Sequence, residues 1–436
     1  MRSIGCASLV LIGVFMCGDT PLSAADYPLR EAVEVTVRDG LPNVFAKLER
    51  GAAVRIAYLG GSITAQPGWR PKTLAWFRTQ FPEADVSQIN AAIGGTGSDL
   101  GVYRLRHDVL RHEPDLLFVE FAVNDGKAPP ERIVKAMEGI VRQAWRHNAK
   151  TDICFVYTFA HDGMLEKLQN GVFPRAASVM ETIADHYGIP SIHMGLEAAR
   201  MEAAGTLIFR GEPPDTPEEQ AAQQGKVLFS RDGVHPYPDG GHDLYLAAVI
   251  RGMTKIRGDG SPGPHQVPAP VRADNWEEAT MVPLSRASLS EHWQRLGGAT
   301  RLGKRFGGRL PELWKASEPG ASITFRFRGT AAQVYDLLGP DCGQVIVKLD
   351  NREPVVKARF DRYCTYHRLA KLGIGSDLED TVHTVRLEIH PEQVDKLAIL
   401  HQRKANRAIE ELDPATYDDT AWYAGALLII GELVSD

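Results

Sequence analysis

The sequence predicts an α/β domain over residues 26–258, three layers deep with a parallel sheet, followed by a β-sandwich over 273–436. Three observations predict this. From residue 54 to 250, short apolar runs alternate with helical patterns, the order that builds a parallel sheet covered on both faces. At 257–264 the run Arg-Gly-Asp-Gly-Ser-Pro-Gly-Pro breaks the pattern, and Pro268-Ala269-Pro270 follows, so residues 259–272 read as a linker. Beyond it, short runs of alternating apolar and polar residues recur between turn signals.

The composition is that of an ordinary globular protein, with 44% apolar residues and a formal net charge of -6. Basic residues are not clustered, which argues against nucleic acid as a partner. Met1-Arg2, the apolar run from Ile4 to Met16 and Ser23-Ala24-Ala25 read as a secretory signal peptide cleaved after Ala25. The run is short for a membrane span. The expectation is therefore export to the periplasm or medium, without stable membrane insertion. Of five cysteines, Cys154, Cys342 and Cys364 lie beyond the leader. Cys154 sits in an apolar run and reads as a buried small residue. Cys342 and Cys364 fall in one later domain and are candidates for a disulfide in an oxidising compartment.

In chain order, residues 54–60 read as a buried strand that ends in Gly60-Gly61-Ser62. Two glycines permit a sharp turn that exposes the serine at the sheet edge. Residues 72–81 read as a helix, 86–93 as a strand ending in Gly94-Gly95, and 100–110 as a helix. Residues 116–123 read as a strong strand ending in Asn124-Asp125. An amphipathic helix over 131–147 carries Ile133, Val134, Met137, Ile140 and Val141 on one face. A strand at 153–158, a helix at 176–187, a strand at 189–194 and a helix at 239–250 complete the domain. In parallel sheets ligands bind beyond the carboxyl ends of the strands. That rule puts Ser62, Gly95 and Asn124 on one rim.

Asp232-Gly233-Val234-His235 lies just before the last helix. One loop can hold both side chains toward a shared point. A serine hydroxyl needs a base to become nucleophilic, and histidine has a suitable pKa. A carboxylate behind the histidine fixes its tautomer and stabilises its charged form. Donors aimed at the developing oxyanion complete such a site. Metal and nucleotide patterns do not mark the site: the sequence holds no Cys-x-x-Cys and no His-x-x-x-His, Gly60-Gly61 is not followed by a Walker lysine pattern, and Gly94 to Gly101 lacks Gly-x-Gly-x-x-Gly spacing. No metal or other cofactor is expected.

Four blocks, taken in order, resemble those of the SGNH hydrolases, the GDSL esterase/lipase family. They are Gly60-Gly61-Ser62-Ile63-Thr64, Asn90 to Gly97, Val123-Asn124-Asp125 and Asp232 to Pro236. The resemblance implies Ser62 as nucleophile, His235 as base, Asp232 as the supporting acid, and Ser62, Gly95 and Asn124 as oxyanion donors. Gly61 departs from it, standing where the family's short name has aspartate. The implied activity is that of a serine esterase acting on acyl esters, with an O-acetyl group on a polysaccharide or oligosaccharide as the expected substrate. A lipid esterase or thioesterase, an acyl transferase and a non-catalytic glycan-binding protein remain alternatives.

Trp69 and Arg70, shortly after Ser62, are candidate substrate contacts, a ring to stack on a sugar and a charge for a polar group; packing at a helix start is the competing reading. Residues 210–224, rich in Pro, Glu and Gln, read as an insertion before the acid–base loop. In the second domain, Ile323, Phe325 and Phe327 alternate with polar residues. Further strands are expected at 333–338, 344–349, 355–360, 382–389 and 426–434, with a hairpin turn at Asp350-Asn351. The part resembles the jelly-roll accessory domains found beside some SGNH carbohydrate esterases. Its expected role is either glycan binding, with Trp314 or Tyr335 as aromatic candidates, or that of a structural cap.

Overall fold

The computed structural model describes residues 27–403 and 413–434. The expected leader, residues 1–25, lies outside the described residues. The first domain runs β1 (Val35–Thr36), α1 (Pro42–Glu49), β2 (Val54–Gly60), α2 (Ser62–Ala65), α3 (Trp69–Gln80), β3 (Val86–Asn90), α4 (Ser98–Asp108), β4 (Leu116–Glu120), α5 (Pro130–His147) and β5 (Asp152–Tyr157). It continues α6 (His161–Gln169), α7 (Arg175–His186), β6 (Ser191–His193), α8 (Leu196–Ala203), β7 (Leu207–Arg210), α9 (Pro217–Gln223), β8 (Val227–Ser230) and α10 (Gly241–Ile256).

The main sheet has six strands in the order β1-β6-β5-β4-β2-β3. All pairs are parallel except β1 with β6, where Val35 faces Ile192. β4 and β5 are buried along their whole length, which is why they read as continuous apolar runs. The strand order fixes the layers. The step from β2 to β3 runs one way across the sheet, and the steps from β3 through β6 run the other. Right-handed crossovers then put α3 on one face and α4, α5 and α7 on the opposite face. α4 packs on α5 and α5 on α7, while α3 packs on α10. The direction reverses between β2 and β4, so the crevice beyond their carboxyl ends is the place for a ligand. Ser62 follows β2 and Asn124 follows β4.

The segment read as a linker is bound along the first domain. The Asn43 carboxamide donates to the Gly263 carbonyl at 2.9 Å, and the Asp152 carboxylate lies 2.8 Å from His265 Nε2. The His265 ring stacks on Trp145 with centroids 4.6 Å apart. The Glu138 carboxylate accepts the amides of Val271 and Arg272. Composition alone showed the Gly and Pro but not these partners.

The second domain holds β9 (Ala279–Pro283), β10 (Ser288–Leu289), β11 (Gln294–Arg295), α11 (Arg301–Phe306), β12 (Trp314–Ala316), β13 (Ser322–Leu338), β14 (Gln344–Leu349) and β15 (Val355–Ala358). β16 (Arg368–Gly375), β17 (Thr381–Ile389), α12 (Lys396–His401) and β18 (Trp422–Val434) follow. Its ten strands form one hydrogen-bonded, all-antiparallel sheet. β13 and β18 are its spine: β13 pairs with β17 in its first half and β16 in its second, and β18 runs beside it. The two expected strands at 322–328 and 333–338 are thus one. They bend at Gly329, which faces Gly431 across the ladder where the register shifts. A side chain on either glycine would run into the other strand's backbone. β14 and β15 form the hairpin expected at Asp350-Asn351, with Asp350 at φ 52°.

A single buried apolar cluster crosses from the first domain into the second, joining Val102 and Tyr103 to Tyr335, Leu337 and Leu428. Tyr335 is fully buried in that cluster, so it presents no ring to a glycan. Cys154, Cys342 and Cys364 are buried free thiols. Instead of pairing with each other, Cys342 Sγ lies against the Leu337 carbonyl and Cys364 Sγ against the Asp361 amide. No helix among the described residues is long and apolar enough to cross a membrane.

Candidate active site

Ser62 opens α2 directly after the Gly60-Gly61 turn. As the first helical residue, its amide has no partner within the helix. Its Oγ lies 2.8 Å from His235 Nε2. His235 Nδ1 lies 2.7 Å from Asp232 Oδ2. The carboxylate only accepts, so Nδ1 carries the proton and Nε2 is left to accept from the serine. Asp232 Oδ1 also takes the Val234 and His235 amides at 2.9 and 2.8 Å. Burial alone would raise the Asp232 carboxyl; the His235 ring and these two amides outweigh it and hold it at about 2. The Asp232 side chain remains half-exposed and the His235 ring about a third exposed.

The acid–base loop is anchored by Ser230, whose hydroxyl donates to the Phe209 carbonyl and accepts the Gly233 amide. Residues 210–224, read from sequence as an insertion, contain α9 and are flanked by β7 and β8, which pair in parallel. The loop is thus carried by its own small sheet.

Gly94 stands over Ser62: a Cβ on it would be 3.5 Å from Ser62 Cβ. Gly95 follows at φ 73°, with open space above it. The Asn124 carboxamide lies against Gly61, the residue before Ser62. Asp125 Oδ1 accepts the Ser98 amide at 3.1 Å and so ties the Asn124 loop to the Gly95 loop. Burial, the largest cause, with Asp99 nearby, pushes the Asp125 carboxyl up to about 7 against the bonds from Ser98.

Trp69 and Arg70 do not line the site, a correction to the sequence reading. Trp69 is fully buried, edge-on to Tyr58 and Phe118. Arg70 is 7% exposed, and its guanidinium donates to the Thr64 carbonyl and the Gln88 side chain. Spacing in sequence placed them near Ser62, but the helix α3 turns their side chains inward.

Sequence reading assigned no role to three residues of this rim. Glu120 ends β4 fully buried, and a charge inside an apolar strand was the signal for it. His161 and Arg210 are partly exposed beside the acid–base loop; the His161 amide donates to the Gly233 carbonyl at 2.8 Å, and Arg210 packs over Gly233. No sequence motif marks that pair. Among the described residues, one set of metal-ligand side chains lies close together, Asp341, Cys342 and His367 in the second domain. There Asp341 is already bonded to His367 at 2.7 Å and to the Tyr423 hydroxyl.

Residues 58–242 match the model of the GDSL-like lipase/acylhydrolase family. No curated protein sequence matches the chain. Among solved structures, it is similar to a two-domain esterase (CEX) active on acetylated mannans, co-crystallized with mannopentaose. That match has 22% identity and a TM-score of 0.69, covering 94% of this chain and 100% of that one. A second structure of that esterase gives 22% identity and a TM-score of 0.66, covering 91% and 97%. An acetylxylan esterase from Geobacillus stearothermophilus, Axe2, gives 18% identity and a TM-score of 0.35 over 46% of this chain and 94% of its own. The two-domain likeness spans both the α/β domain and the antiparallel one.

Proposed function

We propose that this chain, whose residues 58–242 form a hydrolase domain of the GDSL-like lipase/acylhydrolase family, is an exported serine esterase that removes O-acetyl groups from a polysaccharide. One observation carries the mechanism: the continuous bond path from Ser62 Oγ through His235 to Asp232. Ser62 Oγ attacks the acetyl carbonyl while His235 Nε2 takes its proton. The tetrahedral oxyanion is met by the amides of Ser62 and Gly95 and the Asn124 carboxamide. His235 then returns the proton to the departing sugar oxygen, leaving acetyl on Ser62. Water, deprotonated by the same imidazole, releases acetate and restores the serine.

The glycan substrate draws support from the two-domain likeness to an esterase active on acetylated mannans. The second domain also reaches the site's surroundings: Lys371 is paired with Asp99 in the first turn of α4, and Arg309 donates to the Asn90 carbonyl at 3.4 Å. A base about a third exposed beside a second domain suits a polymer better than a small, fully engulfed ester. Export draws support from the basic start and short apolar run of the first residues. The test is acetate release from a panel of acetylated mannans, xylans and pectins, with Ser62→Ala as control. Release by the wild type alone is expected. Cleavage of long-chain acyl esters in preference to every acetylated glycan would overturn the substrate.

A further inference from the structure

The strand β4 reads Leu116-Leu117-Phe118-Val119-Glu120 and is buried throughout. Packing gives no reason for a carboxylate at its end. Burying one is costly unless its oxygens are fully bonded. Glu120 is fully bonded, and by hydroxyls and an amide. Thr64 Oγ1 donates to Oε2 at 2.8 Å and Thr158 Oγ1 to Oε1 at 2.6 Å. The Gly61 amide donates as well. Burial, the largest influence, raises the carboxyl, and these three bonds pull it back down.

The donors are not scattered. Gly61 directly precedes Ser62, and Thr64 lies two residues after it on α2. Thr158 stands just past β5. Glu120 itself pairs with Gly60 in the register of β2 and β4. One side chain thus fastens both flanks of the nucleophile turn to the two central strands. The path continues outward: the Trp69 indole N–H donates to Thr64 Oγ1 at 3.3 Å, and the Trp69 amide donates to His242 Nδ1 at 3.1 Å. Trp69 therefore braces the turn from the far side.

We propose that Glu120 is a positioning residue for the nucleophile, clamping the turn from Gly61 to Thr64 so that Ser62 Oγ stays within reach of His235 Nε2. The inference rests on the serine-esterase reading and adds to it a group that touches neither substrate nor triad. Glu120 acts through backbone geometry, so its loss falls on the chemical step and leaves substrate binding alone.

The test compares wild type, Glu120→Gln and Thr64→Val in the full chain. Glu120→Gln keeps the shape but replaces one acceptor oxygen by a donor; Thr64→Val keeps the size and removes the bond to Glu120 together with the one accepted from Trp69. Each is assayed for kcat and KM on an aryl acetate, for the rate of Ser62 labelling by an organophosphonate with the adduct located by mass spectrometry, and for Tm. The expected result for Glu120→Gln is a fall of at least tenfold in kcat and in labelling rate, with KM within twofold of wild type. Thr64→Val falls severalfold in the same two quantities and reports independently if Glu120→Gln does not fold. Folded variants whose kcat and labelling rate stay within twofold of wild type overturn the proposal and leave the esterase reading intact. Failure of wild-type Ser62 to label overturns the reading and the proposal together.

Discussion

Gly61 and Asn124 are fitted to one another: a Cβ on residue 61 would stand 2.7 Å from Asn124 Cγ, inside the carboxamide. The glycine that departs from the family's short name is thus matched to a specific neighbour. With no side chain there, the carboxamide can rest against the nucleophile turn. The account predicts that Gly61→Ala displaces Asn124 and lowers kcat by about 10²–10³-fold, the cost of losing one oxyanion donor. Asn124→Ala should match it, and the double variant should lose little more. Steady-state kinetics on an aryl acetate checks all three.

Trp69 belongs to the core. Trp69→Ala should destabilise the chain by about 3–5 kcal/mol, as truncating a large buried aromatic does. Trp69→Phe should leave KM for an acetylated oligosaccharide unchanged, because the ring meets Tyr58 and Phe118 and not the sugar. Thermal unfolding and KM measured on the same preparations separate the two roles.

These two cases show what the sequence made legible. The strand–helix alternation and the four blocks carried the sheet, its rim and the meeting of Ser62, Asp232 and His235, because each block sits where a strand ends and chain order alone places it. The direction of a side chain is different. Trp69 and Arg70 follow Ser62 closely, yet the helical phase of α3, set by tertiary packing, turns them inward. β16 escaped notice because Arg368-Leu369-Ala370-Lys371-Leu372-Gly373 mixes charge and glycine into a strand that is only half-buried. The bound course of residues 259–272 depended on Asn43, Asp152 and Glu138, partners more than a hundred residues away.

Asp125 gives the fold a pH dependence of definite sign. Its carboxyl, ordinarily ionised above about 4, keeps its proton up to about 7 in the folded chain. Between those values the folded state binds more protons than the unfolded, so this group makes stability fall as pH rises, by up to about 1.4 kcal/mol per pH unit. Asp125→Asn keeps the acceptor for the Ser98 amide and removes the titration. Its stability between pH 4 and 7, measured by urea unfolding, should therefore fall less than that of the wild type.

Asp232 behaves in the opposite sense. Held at about 2, it stays ionised through the whole working range, and its contribution to stability is lost only as pH falls from about 4 toward 2. The acid limb of the pH–rate profile should therefore survive unchanged in position when Asp232 is left in place and Asp125 is replaced by Asn. Asp232→Asn should lower kcat by about 10⁴-fold, by stabilising the wrong imidazole tautomer.

The central claim is that Ser62 is the nucleophile. Its most direct test is hydrolysis of an aryl acetate by wild type and Ser62→Ala, followed through the first turnover. The account predicts a burst of phenol equal to the enzyme concentration in the wild type when deacylation is slow, or a steady rate abolished by at least about 10³-fold in Ser62→Ala. A folded Ser62→Ala protein that retains most of the wild-type rate would contradict it.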